Sequence, residues 1–358
     1  MKPPYRVPTM GEIRGCPPSG YRVVSTFSGA GGSCLGWRMA GFRVVWASEF
    51  IGAAAATYRA NADSSTLLDT RDVREISAAD VLDATGLAAG ELDVLEGSPP
   101  CSPFSTSGKR QHSWNHAEHY SSGIRQRSDD LFWEYARLAE GLQPRVIVAE
   151  NVSGLVKGTA KGYFKLILAR LREAGYVVRA RLLDAGWLGV PHDRQRLIFV
   201  GVRADLAAVP AFPRPLPYRY TVAEILPPVI GVRTKHGIRT ADRPAPCVMA
   251  NNTPGSETEL TLIEAASPPS VTTDPETGYD LLAYHRPGTG AERWARTRRP
   301  TLGELRALAA FPADFELTGS YSQRWERIGR AVPPIMARAI AATVRDEILA
   351  PLDAERVA

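Results

Sequence analysis

The sequence predicts an α/β fold: a doubly wound, mainly parallel sheet accompanied by a smaller, irregular β-rich module. Three observations carry this expectation. Through the first two hundred residues short β-like runs alternate with helical stretches, the order that builds a parallel sheet covered by helices. A glycine-rich turn, FSGAGG, joins the first such run to a helical stretch. Past Arg203 the long periodic runs stop, and residues 205–298 are rich in Pro, Thr and Gly instead.

Taken in order, residues 1–20 (MKPPYRVPTMGEIRGCPPSG) are Pro-rich and lack the apolar stretch of a signal peptide, so they predict a flexible or surface-hugging arm. YRVVST (21–26) is the first strand, and FSGAGGSCLG leads into a helix running through Ala40. RVVWAS (43–48) is the second strand, ending at Glu49, with a helix across Ala53 to Ala60. LDVLE (92–96) and RVIVAE (145–150) are further strands, separated by a polar stretch and an apolar-periodic helix around Leu131 to Leu142. VPHDRQRLIFVG holds another strand, in which Arg194 and Arg196 alternate and are expected on one face. From Thr301 the helical pattern returns in LGELRALAAF, and PPIMARAIAATVRDEIL predicts a closing helix. The organisation expected is an arm at 1–20, a main domain at 21–204, a second module at 205–298 and a closing segment at 299–358 that returns to the main domain.

The composition, 44% hydrophobic with a formal charge of +5, is that of a globular chain, and no apolar run approaches the length of a membrane span. Lys stands at only six positions, so most of the 43 basic residues are Arg. That bias fits GC-rich codons, which the many Ala, Gly and Pro residues also suggest. It fits equally a phosphate-binding surface, since guanidinium forks onto phosphate oxygens. Cys16, Cys34, Cys101 and Cys247 are widely spaced with no CxxC pair. Neither a zinc site nor a disulfide framework is indicated, and a reduced, cytoplasmic compartment is expected.

Open parallel sheets bind ligands at the carboxyl ends of their strands. The glycine loop, Glu49, Cys101 and Glu150 all fall there. Glycines let backbone N–H groups approach a ligand closely, although a tight structural turn uses the same residues. Glu49, at the end of the second strand, stands where a carboxylate grips a ribose hydroxyl pair. Cys101 sits in EGSPPCSPFS, held by prolines at a strand end, where backbone donors would favour the reactive thiolate. An isolated cysteine in a Pro-rich turn is more often a small hydrophobe. Glu150, ending the neighbouring strand in AENV, changes that balance: a nucleophile and an acid beside a cofactor loop make an active-site arrangement.

With these residues in place the chain resembles the DNA (cytosine-5) methyltransferase family, from about residue 21 to 349 and in the family's motif order. TFSGAGG resembles the first cofactor motif, ASEF the second and DTRDV the third. GSPPCSPFS resembles the catalytic loop, AENV the glutamate motif and VPHDRQRLIFVG the arginine motif. RRPTLGELRALAAFP and IGRAVPP resemble the closing pair. The resemblance implies a Rossmann-like class I methyltransferase domain with a target-recognition domain at 205–298. It implies S-adenosylmethionine as cofactor, no metal, double-stranded DNA as partner, a monomer, and a bacterial or phage setting in the cytoplasm.

By the same resemblance Cys101 adds to carbon 6 of a flipped cytosine, which makes carbon 5 reactive toward the methyl group. Glu150 bonds N3 and the exocyclic amine, Arg196 donates to O2, and Arg194 supports the glutamate or the loop. Phe27, the backbone at Gly29 and Gly31, Glu49, Phe50, Asp72, Val73 and Pro100 match cofactor positions. Glu49 would hold the ribose, Phe50 and Val73 the adenine faces, and Asp72 the adenine amine. The stretch 106–128 matches a loop closing over DNA, with Lys109, Arg110, Arg125 and Arg127 offered to phosphates. Arg233, Lys235, His236, Arg239, Asn251 and Asn252 are candidate base readers, or simply exposed loop residues.

Two departures stand out. His192 replaces the Gln that opens the arginine motif, a change a neutral imidazole tolerates because it also donates and accepts. Arg330 replaces the Asn of GNAVPP. Two unit charges at about 4 Å repel by about 4 kcal/mol at an effective dielectric near 20, so a cation facing the sulfonium needs an explanation. Arg330 turns outward, or pairs with the methionine carboxylate, or meets an extra carboxylate on carboxy-S-adenosylmethionine, which would give 5-carboxymethylcytosine. An RNA cytosine-5 methyltransferase and a non-catalytic DNA-binding homologue are the other readings, and intact Cys101, Glu150 and Arg196 speak against the last.

Overall fold

The computed structural model describes residues 2–100, 117–119, 125–127, 131–157, 160–234, 237–250, 260–264, 271–273, 275–276, 280–282, 284–285 and 296–357, several of the short strands as backbone alone. The arm carries α1 (Met10–Arg14), capped by Thr9 and Glu12 in a reciprocal box. Then follow β1 (Arg22–Thr26), α2 (Gly32–Met39), β2 (Arg43–Ser48), α3 (Gly52–Asn61), β3 (Leu67–Asp69), α4 (Ala78–Thr85) and β4 (Val94–Gly97). A hairpin of β5 (Ala117–His119) and β6 (Arg125–Arg127) precedes α5 (Leu131–Leu142), β7 (Val146–Val152), α6 (Lys161–Glu173), β8 (Tyr176–Asp184) and β9 (Gln195–Arg203).

The large sheet has the order β3-β2-β1-β4-β7-β9-β8. All neighbours in it are parallel except those of β9, which runs against both β7 and β8. Its central strands are apolar on both faces: Val146, Ile147, Val148 and Ala149 of β7 are all buried, as strands covered by helices on two sides must be. The order reverses between β1 and β4, the switch point at which a doubly wound sheet opens a crevice.

The second module contributes α7 (Val222–Ile225), β10 (Val229–Thr234), β11 (Gly237–Thr240), β12 (Thr261–Glu264), β13 (Val271–Thr273), β14 (Asp280–Leu282), β15 (Tyr284–His285) and β16 (Arg296–Arg298). These form an antiparallel sheet of order β11-β10-β12-β16-β15 and a separate β13-β14 pair, among the described residues. The β-rich texture expected there is what the chain adopts.

The closing segment runs through α8 (Leu302–Leu308), α9 (Tyr321–Arg330), α10 (Pro334–Val344) and α11 (Ala350–Val357). The closing helix expected over 333–349 forms as α10, ends in a π-turn at Arg345–Leu349, a local widening that absorbs an extra residue, and continues into α11. α10 packs on α2 at very short range: a Cβ on Gly36 would lie 2.4 Å from Ala337 Cβ and 2.6 Å from Pro334 O. Gly36→Ala is therefore expected to cost about 1–3 kcal/mol through forced separation of the two helices. A thermal melt with an unchanged midpoint would contradict it.

The arm hugs the surface. Lys2 Nζ pairs with Glu224 at 2.6 Å, the Tyr5 ring meets Tyr220 edge-on, and the Met10 N–H donates to Asp314 at 2.9 Å. It thereby ties the second module to the closing helices. Among the described residues no helix is long and apolar enough to cross a membrane.

Candidate active site

The carboxyl edge of the large sheet borders a cavity of about 670 Å³. The glycine loop forms one wall. Phe27 at its start has φ 54°, a left-handed conformation that a phenylalanine adopts only under constraint from its surroundings. The next residues turn sharply, with the Ser28 N–H donating to Ser48 O at 3.0 Å and the Gly31 N–H to Ser28 O at 2.9 Å.

Glu49 closes this turn. Its Oε2 accepts from the Gly29 N–H at 2.8 Å and its Oε1 from the Ile51 N–H at 2.7 Å. Burial pushes its carboxyl up, against the opposing pull of those two N–H groups and of Arg327 and Arg330. A carboxylate offers about four acceptor sites, so two N–H bonds leave capacity for a pair of ribose hydroxyls. Phe50 and Val73 line the same cavity, Phe50 with 37% of its surface open. This donor set and these apolar walls fit the nucleoside half of S-adenosylmethionine.

Of the other cofactor positions expected, Pro100 and Arg330 line the cavity, while Gly31 and Asp72 do not. Gly31 backs onto the Tyr58 ring, 3.1 Å from where a Cβ would be. Asp72 caps the turn at Val73–Glu75 and pairs with Arg74 at 2.9 Å.

On the opposite wall β7 and β9 bring Glu150 and Arg196 together. Antiparallel pairing sets Val152 opposite Arg196, and Arg196 Nε lies 2.6 Å from Glu150 Oε1. Asn151, the next residue, donates from Nδ2 to Pro99 O at 3.3 Å. That bond fastens the start of the proline loop to the strand end carrying Glu150. Cys101 itself lies outside the described residues, as do Lys109, Arg110, Lys235, His236, Asn251 and Asn252; Arg125 and Arg127 are described as backbone alone.

Arg194 and Arg196 do not share a task. Arg194 stands one residue before β9, is 2% exposed, and turns toward the closing motif. Its Nη1 donates to Gly329 O at 3.0 Å and Val248 O at 3.3 Å, and its Nη2 to Arg330 O at 3.1 Å. Strict alternation within a strand, the basis for expecting one face, does not apply to a residue in the preceding turn. Burial and the Arg196 charge lower its pKa to about 10, so it remains a cation at neutral pH. Gly329 is pressed against the second module here, since a Cβ on it would meet Met249 O and Ala250 N at 2.4 Å. His192, also buried, is held neutral by burial and the two arginine charges, and its Nδ1 accepts from the Val248 N–H at 3.4 Å.

Arg239 is engaged in an ion pair and half-buried. It and Arg219 both pair with Asp193, and Arg219 stacks on Trp187 at 5.0 Å. The cluster joins the arginine motif to β11. Arg233 remains a half-buried residue of β10.

Arg330 lines the cavity, but its Nε is 2.7 Å from Glu326 Oε1. Glu326 is shared with Arg327, whose Nη2 lies 2.8 Å from Oε2. Glu96, Arg327 and Asn151 are cavity residues that the sequence reading passed over. Glu96 carried a signal, being a carboxylate at the end of an apolar run just as Glu49 and Glu150 are. Among the described residues no group of three or more His, Cys, Asp or Glu side chains is disposed to hold a metal ion.

A seven-stranded sheet with a single reversed strand, a glycine turn after β1 and a cavity at the switch point define a Rossmann-like methyltransferase fold. The family model for C-5 cytosine-specific DNA methylases matches residues 21–346, and the chain belongs to that family. It is 30% identical over 357 residues to the Type II methyltransferase M.PspPI of Psychrobacter sp. (strain TA137), covering 90% of this chain and 79% of that one. It is 26% identical over 365 residues to the Type II methyltransferase M.XorII of Xanthomonas oryzae pv. oryzae, covering 88% and 82%. Among solved structures, the S. pombe Dnmt2 methyltransferase superimposes with a TM-score of 0.60 at 16% identity, over 93% of this chain and 99% of that chain. A mutant of Spodoptera frugiperda DNMT2 gives 0.60 at 18%, with the same coverage. These structures bear on the fold alone.

Proposed function

We propose that the protein methylates carbon 5 of cytosine in double-stranded DNA, acting as a monomer on a base turned out of the helix. Its Type II relatives suggest a place in DNA modification alongside restriction. The observation that carries the reading is the Arg196–Glu150 pair at 2.6 Å, on the cavity wall opposite Glu49 and bonded through Asn151 to the loop that leads into Cys101.

Cys101, as thiolate, would add to carbon 6 and make carbon 5 enamine-like. Glu150 would bond N3 and the exocyclic amine, offsetting the charge that develops there as the thiolate adds. Arg196 orients Glu150 and would donate to O2. S-adenosylmethionine, when bound, supplies the methyl electrophile. Loss of the carbon 5 proton then allows Cys101 to leave. Glu49 would hold the ribose, with Phe50 and Val73 against the adenine. Residues 205–298 would serve as the target-recognition domain, with Arg219, Arg239 and Asp193 fixing it to the arginine motif.

A second reading concerns the transferred group. Arg330 borders the cofactor cavity, and a carboxylate on the transferred carbon would form a charge-assisted bond to it. Against this, Glu326 pairs with Arg330 and lowers its repulsion toward a sulfonium, although Arg327 shares the same carboxylate. Mass spectrometry of nucleosides decides between them. Duplex DNA treated with S-adenosylmethionine is expected to yield 5-methylcytosine, with structured RNA as the parallel substrate. Carboxy-S-adenosylmethionine is then supplied to the wild type and to Arg330→Asn. A carboxymethyl product lost in the variant establishes the second reading, and an unchanged cofactor preference disposes of it.

A further inference from the structure

Glu96 is the penultimate residue of β4 and 4% exposed, yet it contributes to the cavity wall. Its carboxylate sits in a cage of neutral donors. The Ser25 hydroxyl of β1 donates to Oε1, the Ser33 hydroxyl in the first turn of α2 donates to Oε2 at 2.8 Å, and the Cys34 thiol lies 3.8 Å from Oε1. The ionisable groups packed around it are Cys34 of α2, Tyr58 of α3, Tyr135 of α5 and Glu150 of β7. Burial pushes the Cys34 thiol up to about 12 and raises both phenols well above their usual value, so these remain neutral at physiological pH. The remaining neighbour, Glu150, is itself an acid. Among the described residues the strongest influences on Glu96 include no cation.

A buried charge is paired or it is neutralised. Hydroxyl donors alone would be satisfied by an uncharged acceptor, which leaves a carboxyl group here unexplained by the fold. The cofactor of the proposed reaction carries two positive centres, a sulfonium and an α-ammonium. We propose that Glu96 is the counter-charge for a cationic centre of the bound cofactor, and that binding expels the Glu96 proton to solvent.

The inference rests on the proposed use of S-adenosylmethionine. Burial and the Glu150 charge raise Glu96 to about 7, against the pull of the Ser25, Ser33 and Cys34 donors. About half of the molecules then hold the proton at neutral pH. An adjacent cation favours the ionised form, so the carboxylic acid becomes carboxylate and one proton passes to the buffer.

Titration calorimetry of the full chain tests this in buffers of different ionisation heat. Working at pH 6 to 7 keeps the cofactor's own ammonium protonated. S-adenosylmethionine is expected to release about half a proton at pH 7 and nearly one at pH 6. In Glu96→Gln the release disappears, and affinity at pH 7 falls about 10-fold with the loss of a charged partner. S-adenosylhomocysteine keeps the ammonium but lacks the sulfonium, and 5′-methylthioadenosine lacks both. Release with S-adenosylmethionine and S-adenosylhomocysteine identifies the ammonium as the partner, and release with S-adenosylmethionine alone identifies the sulfonium. Equal release with 5′-methylthioadenosine overturns the proposal, as does tight wild-type binding with no release, or release that survives in Glu96→Gln. Should that variant fail to fold, the wild-type ligand series still decides. Absence of any binding by the wild type would instead overturn the cofactor reading, and this inference with it.

Discussion

Cys101→Ala is expected to lower the rate of cytosine methylation by at least about 10³-fold while leaving DNA binding within a few-fold of wild type. The loss belongs to the chemical step. Without a thiolate at carbon 6, carbon 5 of cytosine is too weak a nucleophile to take a methyl group. The scaffold leading to Cys101 stays intact, because Pro99 is held from β7 by Asn151 at 3.3 Å and β4 is buried on both sides. Single-turnover methylation and a gel-shift titration separate the two effects. A duplex carrying 5-fluorocytosine adds a direct readout: carbon 5 has no proton to lose, so the wild type is trapped on the DNA and the variant is not. A variant that retains more than a tenth of the wild-type rate would remove Cys101 from the mechanism.

Arg194→Leu is expected to destabilise the protein by about 3–5 kcal/mol. Its guanidinium serves the carbonyls of Val248, Gly329 and Arg330 at once, and these come from the second module and the closing motif. Leucine fills much of the space but leaves those carbonyls without their donor in a buried setting. Arg194→Lys is expected to restore little of the loss, since an ammonium is a compact point charge and cannot reproduce the planar fork. Denaturant unfolding measures this. A midpoint within about 0.5 kcal/mol of wild type for the leucine variant would show the interdomain contact to be energetically idle.

These two residues mark how far the sequence can be read. Strand ends were legible because period and punctuation reveal them: Glu49 closes RVVWAS, Glu150 closes RVIVA, and both reach the cavity. The parallel order of the sheet followed from the alternation of strands and helices, and the β-rich character of the second module from its composition. Partners distant in sequence were not legible. Arg194 finds acceptors 54, 135 and 136 residues away, and nothing local distinguishes it from Arg196 two positions on. Arg239 looked like an exposed reader because Asp193, its partner, lies 46 residues earlier. Arg327 and Glu326 carry no signal in the sequence, and only packing shows both to be buried. Arg330 was legible as an anomaly but not as half of an ion pair, although its spacing of four from Glu326 on α9 is the one helical side chains use to meet.

The packing of α2 against α10 bears on how the chain is made. Gly36 and Ala337 touch across three hundred positions of sequence, so the first helix of the sheet emerges from the ribosome long before its covering partner exists. At translation speeds of about 5–20 residues per second, that face is bare for about 15–60 s. During this interval Trp37 and Ala40, both buried in the finished molecule, are open to whatever they meet. Nascent chains are thus most exposed to aggregation, and most dependent on chaperones, until the last helices arrive.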